Sequence, residues 1–271
     1  MFRRSPSPSI EYLRPRAVPA GLKPRLRAGA AHLVLSCSVA AAVLALVFLG
    51  WYPTPLDRIS GVGEILQLLL AIDVTIGPLL TIVVFDRRKR SLPLDLACIG
   101  ALQLAALAYG LHAVEAGRPH HLVFVKDRFE VVSRVDLRPE DRQAAAGNPA
   151  ASASWTGPRI VAAELPTSDQ ERRDMLFESV MGGRDVHHYP ARYRDIGSQR
   201  ERIVAKAVPL DALRALNPER LDRLAAGIAK SGRPESRLRF LPVKGPKGDA
   251  AMLVDVADAE VIGIVDLMPW R

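Results

Sequence analysis

Cysteine is almost absent, with Cys37 and Cys98 the only two in 271 residues. Both fall inside long apolar runs, so neither can staple a water-soluble domain, which must be held by its own core. Catalytic fingerprints are missing too: there is no nucleophile elbow, Walker loop, dinucleotide motif or zinc spacing. His120-His121 and His187-His188 are adjacent pairs, and neighbours on a strand point apart, which suits neither pair to one metal ion. Gly182-Gly183 before Arg184-Asp185 reads as a helix stop, since a helix C-terminus carries the wrong end of the dipole for an anion. No enzyme activity, cofactor or metal is expected.

The net charge of +8 invites a nucleic-acid reading, which its distribution excludes. Residues 1–31 carry seven Arg or Lys against one Glu, and residues 86–90 four against one Asp. Residues 118–271 are nearly balanced, 25 basic against 22 acidic, too even for a phosphate-tracking face. The basicity therefore flanks the apolar runs, and residues 1–27, rich in proline, read as a disordered basic cytoplasmic tail attracted to anionic lipid.

Three apolar runs follow, spanning about 28–52, 65–85 and 94–115, each long enough to cross a hydrocarbon core as a helix. A cleaved secretory signal fits the first less well: the run exceeds a signal core and ends in Gly50-Trp51-Tyr52-Pro53, not a small-x-small site. The tail and the 86–90 loop lie on one side of a three-span chain and both are basic, while residues 53–64 carry only Arg58. The positive-inside rule makes the basic side cytoplasmic and places residues 118–271 in the periplasm.

Asp73 is the costly residue, at roughly 2.5–3.5 kcal/mol for a carboxylate at a helix centre. His32 is too shallow to meet it, by about 12 Å at 1.5 Å per residue, whereas Gln103 matches its depth. Pro78, after Gly77, removes the hydrogen bond to the Val74 carbonyl and predicts a kink. Asp73 thus locks three helices together, docks a partner's transmembrane helix or lies on a proton path.

In residues 118–271, β-rich runs at 120–126 and 129–135 read as a strand pair. Residues 138–158 read as a flexible loop. Ser168 with Glu171 makes a capping box for a helix to Met181. Asn217-Pro218 opens a second, stopped by Gly232. Strands at 238–243, 251–256 and 261–268 complete an α+β domain with an antiparallel sheet.

Trp51-Tyr52-Pro53, Asp73 followed by Gly77-Pro78-Leu79-Leu80-Thr81, Leu102-Gln103-Leu104, His121-Leu122-Val123-Phe124, Asp127-Arg128-Phe129, Arg239-Phe240-Leu241-Pro242 and Pro269-Trp270 together resemble the type IV pilin accessory proteins of the TfpX/TfpZ kind. The resemblance implies a multi-pass inner-membrane protein that serves the type IV pilin subunit, and with it other pilus assembly proteins, as a chaperone or assembly modulator. It offers no catalytic motif to carry over. It singles out His32, Asp73, Gly77 and Pro78 together with Asp127, Arg128 and Trp270, and Gln103 joins them as the depth match for Asp73. Two other classes stay open: a membrane-anchored periplasmic ligand sensor, and a membrane enzyme modifying pilin.

Overall fold

A computed structural model describes residues 21–270. Three long helices come first. α1 (Leu22–Ala45) continues through a π-helical turn, Leu46–Trp51, and a short α2 (Leu56–Ser60) leads into α3 (Val62–Val84) and α4 (Leu92–Ala116). The sequence expectation for the 1–27 tail falls mostly outside the described residues, but α1 already starts at Leu22, so residues 22–27 are helical. The three helices are long and apolar enough to cross a membrane.

Glycine sets how closely they approach. A Cβ at Gly29 would come within 2.3 Å of Ile82, and one at Gly110 within 2.5 Å of Leu69, so α1 and α4 press directly on side chains of α3, as small residues permit between apolar helices. At the far end of the bundle, Trp51, Tyr52, Val62, Leu66 and Val114 form a buried cluster. There the Tyr52 hydroxyl donates to the Val114 carbonyl at 2.8 Å.

α4 hands over to β1 (Pro119–Val125), which turns at Lys126-Asp127 into β2 (Arg128–Ser133). The order continues α5 (Pro139–Ala144), β3 (Arg159–Ala163), α6 (Asp169–Gly182), β4 (Tyr193–Asp195), α7 (Arg200–Lys206), β5 (Val208–Pro209), α8 (Leu210–Leu216), α9 (Leu221–Ser231), β6 (Leu238–Lys244), β7 (Asp249–Asp255) and β8 (Glu260–Val265). Eight strands make one sheet in the order β4-β3-β1-β2-β6-β7-β8, with β5 on β6.

The sheet is mixed, which corrects the antiparallel expectation. β1–β3 and β2–β6 run parallel. Each parallel pair needs a long crossover, supplied by residues 134–158 and by everything from β3 to α9. Residues 138–158 are accordingly an ordered connection rather than a flexible loop: Asn148 donates to the carbonyls of Pro190 and Tyr193.

The expected helix start at Asn217-Pro218 is also corrected. α9 begins at Leu221, while buried Asn217 ends α8 and donates from its side chain to the carbonyls of Leu213 and Met268. Asparagine and proline after a helix stop it as readily as they start one, and only the packing of the last strand decides. Ser168 does cap α6, accepting from Glu171 N at 3.1 Å, and Gly183 and Gly232 close α6 and α9 with φ near +65°.

Both faces of the sheet are covered. One cluster joins Phe124, Phe129, Leu241 and Met252 to Leu56 and Ile59 of α2. The turn between the first two long helices is thus built into the core of the sheet domain. Lys247 N donates to the Ile59 carbonyl at 2.8 Å, and Gly245 leaves only 2.8 Å between its would-be Cβ and that same oxygen.

Candidate functional site

The three long helices share one polar cluster, built from His32 of α1, Thr81 of α3 and Gln103 of α4. His32 Nε2 lies 2.8 Å from Gln103 Oε1, and Nδ1 lies 2.5 Å from Thr81 Oγ1. Gln103 Nε2 donates to the main-chain carbonyl of Asp73 at 3.1 Å. These contacts orient the Gln103 amide. An amide oxygen can only accept, so His32 donates from Nε2 to Gln103, and Nδ1 pairs with the Thr81 hydroxyl, which can donate or accept. Flipping the Gln103 amide would set oxygen against carbonyl oxygen.

Gly77 and Pro78 make room for this cluster. A Cβ at Gly77 would fall 2.0 Å from Gln103 Nε2, so only glycine lets the amide lie on the α3 backbone. Pro78 leaves the Val74 carbonyl without its helical donor, and Gln103 reaches α3 one residue earlier, at Asp73. Of the residues singled out from the sequence, His32, Asp73, Gly77 and Gln103 therefore meet, with Pro78 next to Gly77 on α3. The depth argument against His32 is corrected in one respect: α1 begins six residues before the expected 28, and His32 and the half-buried Asp73 line the same cavity of about 190 Å3 with Leu35, Ser36 and Leu104.

Asp127, Arg128 and Trp270 converge in the sheet domain. The Arg128 guanidinium lies 5.5 Å over the Trp270 ring and 3.4 Å from Asp127, and Trp270 Nε1 donates to Asp249 at 2.7 Å. This fixes the C-terminal segment to the β1–β2 turn and the β6–β7 hairpin.

The buried His121 and the half-buried His187 are both shifted toward the neutral form. Burial, ahead of the neighbouring His188, lowers His187 to about 3. Burial, ahead of neighbouring His120, lowers His121 to about 4. Among the described residues no group of three or more His, Cys, Asp or Glu side chains is arranged to hold a metal ion.

Sequence patterning missed the outer face of α6. Leu176, Phe177, Val180 and Met181 are all exposed there, by 65–74%, at spacings of one and four that make one contiguous apolar patch. The pattern was legible as i, i+4 pairs. Nothing in it said which side of the helix the sheet would leave uncovered.

Three helices long and apolar enough to cross a membrane, locked by a polar cluster, are joined through α2 to a mixed-sheet domain. The profile of the fimbrial assembly protein FimB family matches residues 20–61. A fimbrial assembly protein of serogroups C1 and C2 from Dichelobacter nodosus is 36% identical over 108 residues, which covers 39% of this chain and 82% of that relative. The serogroup I protein of the same organism is 29% identical over 223 residues, 78% of this chain and 83% of the relative. The chain belongs to this family of fimbrial assembly proteins, and its resemblance to type IV pilus accessory proteins is borne out. No solved structure matches it.

Proposed function

We propose that this protein is a non-catalytic, multi-pass inner-membrane factor that escorts pilin during type IV pilus biogenesis, its N-terminus cytoplasmic and its sheet domain periplasmic. Its domains are the basic tail, the three spanning helices and the exported domain. The observation that carries the reading is the burial of Leu56 and Ile59 in the sheet core. It ties the turn between the first two long helices to the domain, which agrees with a charge distribution that sets both on the non-cytoplasmic side.

A partner with an apolar helix and a globular head would then meet two contacts on one body. The Asp73-lined cavity lies along the helices, and the apolar face of α6 lies outside them. The second contact becomes intramolecular once the first is made, and the two reinforce each other.

Photo-crosslinkers placed at Leu104 and at Phe177 test this in cells. Capture of pilin from both positions, with Asp73→Asn reducing capture at Leu104, is the expected result. Normal piliation in a deletion strain would end the pilus reading. A reporter active only outside the cytosol, fused after Arg271 and found silent, would end the orientation.

A further inference from the structure

One cavity has no part in that reading. It lies where α4 hands over to β1 and measures about 470 Å3, lined by Glu115, Arg118, His120, His121, Arg134 and Arg142 among others. Three guanidiniums thus face one carboxylate.

Glu115 cannot satisfy them. It sits 3.5 Å from Arg118 Nε, 3.5 Å from His120 Nε2 and 3.8 Å from Arg134, all longer than a charge-assisted hydrogen bond. Arg118 commits its two terminal nitrogens to the carbonyls of Trp155 and Ser154, at 3.1 and 2.7 Å. Its Nε, His120 Nε2 and Arg142 Nε are buried atoms without a hydrogen-bond partner. The side chains of Arg118 and His120 are only 4% and 9% exposed. Arg142 makes no ion pair among the described residues. Buried donors left unbonded are costly, and here they converge from the α4–β1 junction, β1 and α5, with Arg134 after β2 lining the same cavity.

Position indicates the anion. Trp51 meets Trp155 edge-on at 6.1 Å, Arg118 lies 5.9 Å over the Trp51 ring, and Gly157 N donates to the Gly50 carbonyl at 2.8 Å. Residues 155–157 therefore sit on the end of the first apolar helix. Tryptophan gathers at headgroup depth, so in the membrane reading above, on which this step rests, the cavity lies at the bilayer surface.

We propose that this cavity binds a phosphate-bearing anion, with Arg118 Nε, His120, Arg134 and Arg142 donating to its oxygens and an anionic phospholipid headgroup as its source at that depth. Cationic clusters between spanning helices and headgroups are suited to such ligands.

The test uses the full chain purified in a neutral detergent. Binding of phosphatidylglycerol, phosphatidylcholine and inorganic phosphate is followed by native mass spectrometry and by thermal shift against each unliganded variant. Phosphatidylglycerol should be retained and phosphatidylcholine lost. Arg142→Gln should weaken retention about tenfold, the worth of one charge-assisted hydrogen bond, and Arg142→Lys should keep most of it. Glu115→Gln should tighten binding, a sign that a purely structural role of Glu115 does not give. Saturation by inorganic phosphate with the same response to the variants would support the site and assign it to a soluble phosphate. Equal retention of both lipids, or binding indifferent to Arg142→Gln, would overturn it. Either result leaves the pilus reading standing, because that one is decided by piliation and crosslinking. Failure of the orientation test, in turn, leaves a phosphate affinity measured in detergent untouched.

Discussion

His32 and Gln103, 71 residues apart, share a hydrogen bond of 2.8 Å from Nε2 to Oε1, and through it one chain of hydrogen bonds runs from Thr81 by way of His32 and Gln103 to the Asp73 carbonyl. Each contact pairs a donor with an acceptor, so the three side chains are hydrogen-bonded to one another and to the α3 backbone. Such a network is strong as a whole and weak once any member is removed.

Gly77→Ala should therefore cost about as much as Gln103→Leu. The added methyl does not meet rigid backbone; it meets the Gln103 amide, which can swing away only by leaving Asp73 and His32. Each change should cost on the order of 1–2 kcal/mol of stability in detergent. In the double variant the costs should coincide rather than add. Thermal unfolding of the four proteins of the cycle measures this, and strict additivity would mean that Gly77 serves another purpose.

Leu56→Ala and Ile59→Ala should unfold the sheet domain more easily, although they lie between the first two long helices in the sequence. Both side chains are buried against β1, β2, β6 and β7, so each truncation should cost roughly 2–5 kcal/mol. Hydrogen exchange in β7 is the readout. Protection there unchanged from the parent would mean that α2 only rests on the domain.

Phe177→Ser with Met181→Ser should leave stability within about 0.5 kcal/mol, because both side chains are exposed by 67% and 72%. Crosslinking of pilin to the outer domain should nonetheless fall sharply. Melting temperature and crosslinking yield, measured on the same variant, separate a docking face from a folding defect.

The helices were legible because composition alone identifies them: uncharged runs of that length have few other fates. The Gly77-Pro78 and Gln103 features were legible for a related reason, since polar and helix-breaking residues stand out against an apolar ground. The sheet was not. Its parallel pairings depend on crossovers that carry no periodic signal, and β5, two residues long, has none of its own. Asn217 shows the limit most clearly. Its side chain serves the last segment of the chain through Met268, and a local rule for Asn-Pro sees only its immediate neighbours.

Acid should destabilise the sheet domain in a window set by two histidines. Folding lowers His121 to about 4 and His187 to about 3, in both cases mainly by burial, while the unfolded chain titrates near 6.5. Between those values the unfolded state binds protons that the folded state does not, so stability rises with pH there. The contribution is fully present above about pH 6.5, and it is lost as pH falls through the folded values. His121 accounts for on the order of 3 kcal/mol and His187 for on the order of 5 kcal/mol. Glu130 acts in the opposite sense: burial raises it to about 6, so its charging in the fold costs stability as pH rises from about 4.5 to 6 and beyond. The two histidines outweigh it, and the melting temperature should fall steadily from pH 6.5 to 4. His121→Phe, which keeps a ring beside Tyr193 at the position where the two centroids lie 5.1 Å apart, should flatten the upper part of that fall. An unchanged pH profile in this variant would place the acid sensitivity elsewhere, with His187→Phe as the next test.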